Sequence, residues 1–250
     1  MSKLNGKVAL ITGAGAGIGA GIAKTYAKHG AKLCLVDMSP AVEETAAKIS
    51  DAFGVEAIGV VADVSNAEQM KDAAAKTVEK FGHLDVACCN AGVCRLSPFT
   101  EHSEADLDLT INVNIKGAWN TCQAVIPYML NQGKGAIVIA SSVTGDLVVD
   151  PGEASYGMSK AALVGLTKAL AVEYADRNIR VNCTQLGYAR TPMTEKMALE
   201  SNPEDPESVF TEMAKGIPMR RLANPTEVGE LTAFLGSDEA SYLTGSQVVI

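Results

Sequence analysis

The sequence predicts an α/β fold, a doubly wound parallel sheet of about seven strands with helices on both faces, in one domain spanning residues 1–250. Three observations predict it. Short runs rich in Val, Ile and Leu alternate with longer segments of helical character along the whole chain. The runs lack polar alternation, as strands buried on both faces do, and such burial belongs to parallel sheets. The first run ends in a glycine-rich turn that opens at once into a helical segment. Length agrees, because 250 residues suffice for one large core and are short for two.

Taken in order, strands are predicted at 7–12, 32–37, 57–62, 84–89, 135–140, 180–183 and 247–250. The Ala-rich residues 18–28 form the first helix. Ser39 is expected to cap the second, with Pro40 at its first position. Asn66 is expected to cap the third. Asn224-Pro225-Thr226-Glu227 carries a capping residue, Pro in the first turn and Glu three residues after the cap, a capping-box pattern. The β-α order implies right-handed crossovers. Residues 191–221 break the rhythm: they carry Met193, Met197, Met213 and Met219 and the turn-rich Ser201-Asn202-Pro203-Glu204-Asp205-Pro206. They read as a helical excursion or lid within the domain.

Composition narrows the function. Formal net charge is -8 with no basic stripe, which excludes a nucleic-acid binder. No apolar run reaches the roughly 18 residues of a membrane span. The short apolar run at 8–11 breaks into glycines and makes a poor secretory core, so a cytoplasmic protein is expected. Cys34, Cys88, Cys89, Cys94, Cys122 and Cys183 sit mostly in apolar runs without repeated C-x-x-C spacing. They read as buried free thiols rather than a disulfide framework. His29, His83 and His102 lie at no metal-ligand spacing, so no metal site is expected.

The first strand ends at Thr12-Gly13-Ala14-Gly15-Ala16-Gly17-Ile18-Gly19. Glycines let the backbone approach a pyrophosphate closely, and the helix start offers N–H groups and a positive dipole end. Asp37 ends the second strand and Met38 follows it, where a carboxylate can accept hydrogen bonds from the adenosine ribose and repels a 2′-phosphate. No Arg or Lys in the turn or just after Asp37 offsets that repulsion, so the predicted cofactor is NAD rather than NADP. An Asp at this place also serves to start a turn. Asp63 and Val64, with Asp63 placed to hold the adenine amino group, and Asn90-Ala91-Gly92 follow the third and fourth strands, at the edge where such sheets bind ligands.

The chemistry points to Tyr156-Gly157-Met158-Ser159-Lys160. Positions four apart share a helix face, so Tyr156 and Lys160 point the same way. A free phenol titrates near pH 10, too high for acid-base work at neutrality. A nearby ammonium and the positive nicotinamide of NAD+ favour the phenolate, and bringing it to neutrality takes roughly 4 kcal/mol. Ser142, in Ala140-Ser141-Ser142-Val143-Thr144-Gly145, can bond a substrate oxygen beside Tyr156, or simply turn the chain. Asn114, in an apolar helical stretch, needs partners: a water leading to Lys160, or a purely structural set.

Thr12 to Gly19, Asp63, Asn90-Ala91-Gly92, Asn114, Ser142 and the Tyr156/Lys160 pair together resemble, in order and across essentially the whole chain, the motif set of the short-chain dehydrogenase/reductase family. That resemblance implies a Rossmann-type sheet. It implies Tyr156 as general acid and base, Lys160 as its pKa-lowering partner and ribose ligand, Ser142 as substrate orienter and Asn114 as proton-relay anchor. Gly187 and Thr191 match positions beside the nicotinamide, with Thr191 on the carboxamide. A homotetramer is also implied. A narrower resemblance, to one subgroup of these oxidoreductases, rests on Gly92-Val93-Cys94-Arg95-Leu96, Ser141-Ser142-Val143-Thr144-Gly145-Asp146, Asp150-Pro151-Gly152-Glu153, Asn202-Pro203-Glu204-Asp205-Pro206-Glu207-Ser208 and Ile217-Pro218-Met219-Arg220-Arg221. Cys89 stands where the family usually has Asn, and Leu186 where it usually has Pro, which predicts a looser loop after the sixth strand. The sequence ends at Ile250, where the family generally continues into a Gly-rich tail.

The expected function is therefore reversible hydride transfer between NAD(H) and a small alcohol or carbonyl compound. A dinucleotide-binding regulator without turnover is the competing reading, and the presence of Ser142, Tyr156, Lys160 and Asn114 together weighs against it. A sugar-nucleotide epimerase or dehydratase shares the Tyr/Lys logic but normally needs a longer C-terminal substrate domain. The pocket is expected between 93–96, 143–153, 187–188 and the excursion, with methionines as an adaptable apolar wall. Arg95, Asp146, Asp150 and Glu153 either meet polar substrate groups or face solvent.

Overall fold

The computed structural model describes residues 2–250, apart from the side chain of Met193. Strands β1 (Val8–Thr12), β2 (Lys32–Asp37), β3 (Ala57–Val61), β4 (Val86–Cys89), β5 (Gly135–Ser142), β6 (Ile179–Leu186) and β7 (Gln247–Val249) form one sheet. Its order is β3-β2-β1-β4-β5-β6-β7, and the pairs are parallel. The order reverses between β1 and β4, which opens a crevice at the carboxyl edge there.

Side chains alternate between two cores. Ala9 and Ile11 of β1 pack with Ile22, Tyr26, Val42, Ile49 and Val228 on one face. Leu10 packs with Met70, Ala74, Val125, Met129 and Leu163 on the other. The first face is covered by α1 (Gly17–Lys28), α2 (Ala41–Phe53) and α9 (Pro225–Gly236). The second is covered by α3 (Ala67–Phe81), α5 (Gly117–Gln132) and α6 (Ala154–Tyr174), while α4 (Glu104–Thr110) leads into α5. Among the described residues no helix is long and apolar enough to cross a membrane.

Asn66 accepts from the backbone N–H groups of Glu68 and Gln69, and Asn224 and Glu227 complete the expected capping box. The second helix differs from expectation. It starts at Ala41 with Pro40 as the residue before the first helical position, and Ser39 Oγ accepts from Ala41 N at 3.3 Å. Two strands run longer than predicted. The end of β5 includes Ser141 and Ser142, and β6 continues through Thr184 and Gln185. These polar residues are buried, and most find partners: Ser141 Oγ donates to Lys160 O at 2.8 Å, and Gln185 Nε2 to Asp146 at 2.6 Å.

The predicted excursion folds as α7 (Pro192–Ser201) and α8 (Pro206–Lys215), each with Pro at its start and a side-chain cap, Thr191 and Asp205. Arg190 ties the pair down: it bonds Glu195 and Glu207 and lies 4.5 Å over the Phe210 ring. Of the four methionines expected there, Met193's side chain lies outside the described residues, and Met219 is largely exposed.

Helices α1 and α9 approach closely because glycines face the contact. A Cβ on Gly21 would overlap Pro225 Cβ and stand 2.8 Å from its carbonyl carbon. Gly21→Ala is expected to lower the free energy of unfolding, since overpacking costs typically about 1–3 kcal/mol and the gain from replacing a helical Gly is up to ~1 kcal/mol. Denaturant titration measures it, and an unchanged midpoint would contradict so tight a contact.

Candidate active site

The residues singled out in the sequence gather at the carboxyl edge because every strand points there. Thr12 organises the crevice. Its Oγ1 accepts from Asn90 N at 3.1 Å and Ala91 N at 3.2 Å, and Asn90 Nδ2 donates to Thr12 O at 3.1 Å and Gly13 O at 3.3 Å. The Asn90 amide thus buttresses the glycine turn. Gly13 has φ +66°, and a Cβ there would lie 2.8 Å from Ala91 Cα. Gly17, at φ +56°, faces Thr191, whose Cβ is 3.7 Å from where a Gly17 Cβ would be. Helix α1 begins at Gly17-Ile18-Gly19 without a side-chain cap, so its first N–H groups and positive dipole end remain available to an anion.

Asp37 reaches across the turn. Its Oδ2 accepts from Gly15 N at 2.9 Å and its Oδ1 from Ser39 N at 3.0 Å. A Cβ on Gly15 would sit 3.0 Å from Asp37 Oδ2, so carboxylate and glycine fit each other. Met38 is 74% exposed beside it. Asp63 accepts from Ser65 N at 2.9 Å, and Val64 is buried with its carbonyl bonded to Asn120. These groups form a cradle that glycines alone leave open, and its chemistry fits a dinucleotide.

Tyr156 and Lys160 lie in the first turns of α6, with Lys160 Nζ 5.6 Å from the Tyr156 ring centroid. Lys160 is buried and donates to Ala140 O at 2.9 Å. Gly92 faces both Asn114 and Lys160: a Cβ there would be 3.4 Å from Asn114 Oδ1 and 3.5 Å from Lys160 Nζ. Asn114 is fully buried, on a π-helical stretch (Ile111–Lys116) between α4 and α5. It accepts from Val93 N at 2.8 Å and donates to Val93 O and Ser159 Oγ, each at 2.9 Å. Ser159 Oγ in turn donates to Tyr156 O at 2.7 Å. Ser159 was not singled out in the sequence. A Ser three residues after Tyr156 resembles any helical Ser until the fold brings Asn114 beside it.

Burial pushes the Tyr156 phenol up to about 12; the Ser142 hydroxyl pulls it down, and Cys94, Glu153 and Tyr188 add to the rise. Burial also brings Lys160 down to about 8, with Cys94 opposing. The sequence predicts a phenol lowered by its helix-mate ammonium together with the positive nicotinamide of NAD+, and the side chains by themselves do the reverse. The reason is desolvation, which outweighs a cation set over the ring and bonded to a carbonyl. Ser142 Oγ donates to Leu186 O at 3.2 Å and accepts from Thr144 N at 3.1 Å.

Other expectations change with the geometry. Leu186 is buried, and its carbonyl also accepts from Val143 N at 3.0 Å, so the strand end is pinned where a looser loop was expected. Gly187 N donates to Ile250 O at 2.8 Å. Cys89 is buried with its Sγ 3.8 Å from Cys122 Sγ, so it fills core rather than facing the crevice. All six cysteines are free, and five are buried; Cys94 is the partly exposed one. Arg95 pairs with Asp106 at 3.5 Å, and Asp146 is held by Gln185.

A family model described as Enoyl-(Acyl carrier protein) reductase matches residues 13–250. Oxidoreductase UcpA of Escherichia coli (strain K12) is 58% identical over 250 residues, covering 100% of this chain and 95% of that protein. The subgroup that the sequence resembles more narrowly is that of UcpA. Among solved structures, L-sorbose reductase from Gluconobacter frateurii complexed with NADPH and L-sorbose superposes with a TM-score of 0.95 at 31% identity, covering 100% of this chain and 97% of that one. NAD+-bound xylitol dehydrogenase superposes with a TM-score of 0.90 at 34% identity, covering 99% of this chain and 98% of that one.

Proposed function

The chain belongs to the short-chain dehydrogenase/reductase family, and on that premise we propose that it is an NAD(H)-dependent enzyme moving a hydride reversibly between nicotinamide and a small alcohol or carbonyl compound. Membership makes it a dehydrogenase or reductase of CH–OH and C=O groups that uses a nicotinamide dinucleotide. One observation carries the finer reading: the Tyr156 phenol, the Ser142 hydroxyl and the Lys160 ammonium converge at the same strand edge as the Asp37-closed glycine turn.

Gly13, Gly15 and the Gly17-Ile18-Gly19 helix start would hold the pyrophosphate. Asp37 and Met38 would hold the adenosine ribose, and Asp63 and Val64 the adenine. Asn90, Ala91 and Gly92 would form the floor, and Gly187 and Thr191 would contact the nicotinamide end. The bound dinucleotide supplies the hydride acceptor or donor. Ser142 turns its hydroxyl from Leu186 O to the substrate oxygen. Tyr156 gives that oxygen a proton in reduction and takes one in oxidation. Lys160 keeps a positive charge beside the phenol at neutral pH, and Asn114 fixes Val93 and Ser159 around the pair. The same reading includes a cytoplasmic homotetramer. Exposed Trp119 on α5 and Met158 and Val172 on α6 support an apolar surface that further copies cover; light scattering reads the mass.

The direct test is a panel of alcohols and carbonyls followed by NADH absorbance, with NADP(H) in parallel. Turnover with NAD(H) is expected, and its absence across the panel would sink the reading. A pH dependence follows. Only the deprotonated phenol accepts a proton, so alcohol oxidation is expected to rise with pH while carbonyl reduction falls with it, at a higher midpoint because NADH lacks the positive charge of NAD+. With NAD+ bound, the midpoint should lie well below the value near 12 that burial imposes on the side chains alone. Initial rates in both directions measure it. Opposite or flat profiles would remove Tyr156 from the role.

A further inference from the structure

A cavity of about 470 Å³ lies between α8, Arg190 and the segment 220–222 that leads to α9. Its wall includes none of Tyr156, Ser142, Lys160 or the glycine turn. Arg221 ties that wall to α9, bonding Glu227 at 2.7 and 2.6 Å. Helix α9 covers the sheet face opposite to α6, which carries Tyr156. The two chain segments that bound the cavity are joined by Arg190 N donating to Ala223 O and Ala223 N to Tyr188 O, each at 2.9 Å. Four cations line it, and three already meet carboxylates. Arg190 bonds Glu195 at 3.4 Å and Glu207 at 3.2 Å, Lys215 pairs with Glu212, and Arg221 with Glu227. Arg220 has no carboxylate partner among the described residues; its Nη1 donates to Lys215 O. Its backbone is unusual too. Arg220 has φ +56°, a left-handed conformation that glycine adopts freely and a residue with a Cβ enters at a cost. The remaining wall is hydrocarbon: Phe210, whose ring lies 4.5 Å under the Arg190 guanidinium, with Ala214 and Leu222.

We propose that this cavity is a second ligand site, separate from the cofactor crevice, for a small monocarboxylate with an apolar body whose carboxylate pairs with Arg220. It goes beyond the oxidoreductase reading and requires neither cofactor nor turnover. The volume falls within the range of small-molecule sites. The one unmatched charge sets the charge of the ligand. A guanidinium presents its N–H donors in a planar fork, and a carboxylate accepts two of them side by side. A phosphate dianion would bring a second negative charge where Arg190, Lys215 and Arg221 already face glutamates. A neutral alcohol would leave the guanidinium charge unmatched. The wall sets the body. Thr211 is the one hydroxyl on it, and its proton already goes to Glu207 O at 3.0 Å. A polyhydroxylated body therefore finds little to bond, whereas a hydrocarbon one buries its surface on Phe210, Ala214 and Leu222.

The test titrates hexanoate calorimetrically into the full chain, with 1-hexanol and inorganic phosphate as comparisons. Hexanoate should bind saturably, and roughly tenfold or more tightly than either, the least that one charged hydrogen bond contributes. Two variants alter the two walls. Arg220→Gly removes the charge and suits the left-handed backbone, so the protein should stay as stable to heat. It should weaken hexanoate roughly 10- to 100-fold, as for a lost hydrogen bond to a charged group. Ala214→Met fills the cavity and should weaken hexanoate as well, with no change of charge. Thermal unfolding shows that both variants are folded. No saturable binding of hexanoate up to about 10 mM overturns the assignment. So does an affinity unchanged within about twofold in either folded variant, which would seat the carboxylate elsewhere, the crevice included. Phosphate or 1-hexanol binding as tightly as hexanoate overturns the ligand class. Each of these results leaves the oxidoreductase reading intact, and that reading can fail in the substrate panel while hexanoate still binds here.

Discussion

Tyr156→Phe is expected to lower kcat about 100- to 10,000-fold in either direction, the range that a positioned general acid or base contributes. The substitution removes one oxygen and keeps the ring. The ring still packs beneath Lys160, whose ammonium lies 5.6 Å from its centroid and keeps its bond to Ala140 O. Binding of NADH should persist, because the glycine turn, Asp37 and Thr191 are untouched. Ser142→Ala should cost less, since it removes one hydrogen-bond donor and leaves the proton donor in place. The two variants together separate proton transfer from orientation: Tyr156→Phe abolishes the pH dependence along with the rate, and Ser142→Ala keeps its shape. Steady-state rates across pH with each variant check this. A Tyr156→Phe enzyme within tenfold of the unaltered one would show that another group moves the proton. A protein that binds NADH but turns over nothing before any substitution would favour the regulatory reading.

The sheet was legible in the sequence because uninterrupted Val, Ile and Leu runs have one cheap explanation, burial on both faces, and because glycines and capping residues mark where the runs end. The ends of β5 and β6 were less legible. Ser141, Ser142, Thr184 and Gln185 are polar, and nothing local says that Lys160 O and Asp146 will meet two of them in the interior. The π-helical register at Asn114 was also hidden, since one extra residue in a helical turn leaves the apolar pattern of Ile111-Asn112-Val113-Asn114-Ile115 unchanged. Tyr156 and Lys160 were found by spacing, but the direction of the phenol's pKa was not. Spacing shows which charges share a helix face; it does not show how much water the fold removes from them.

Asp37→Ser is expected to shift cofactor preference from NAD toward NADP by about 100-fold or more in the ratio of kcat/KM values. Two effects push the same way. The carboxylate that accepts from Gly15 N at 2.9 Å and Ser39 N at 3.0 Å stands at the end of β2, where ribose hydroxyls would donate to it, and each charged hydrogen bond is worth roughly 1.5–3 kcal/mol. Removing it weakens NAD. The same carboxylate repels a 2′-phosphate by ~4 kcal/mol for unit charges 4 Å apart near a protein surface, and removing it strengthens NADP. The closeness of Gly15 to Asp37 Oδ2, 3.0 Å from a Cβ placed there, means that the turn and the carboxylate were matched to each other. A serine hydroxyl can still accept from one of the two N–H groups, and solvent reaches the other, so the fold should tolerate the change. Adding Met38→Arg places a guanidinium on a side chain that is 74% exposed, and the double variant should favour NADP further. Steady-state kinetics with both cofactors read the ratio, and thermal unfolding shows whether the variants remain folded. Equal use of NAD+ and NADP+ by the unaltered protein would show that Asp37 holds the turn without selecting the cofactor.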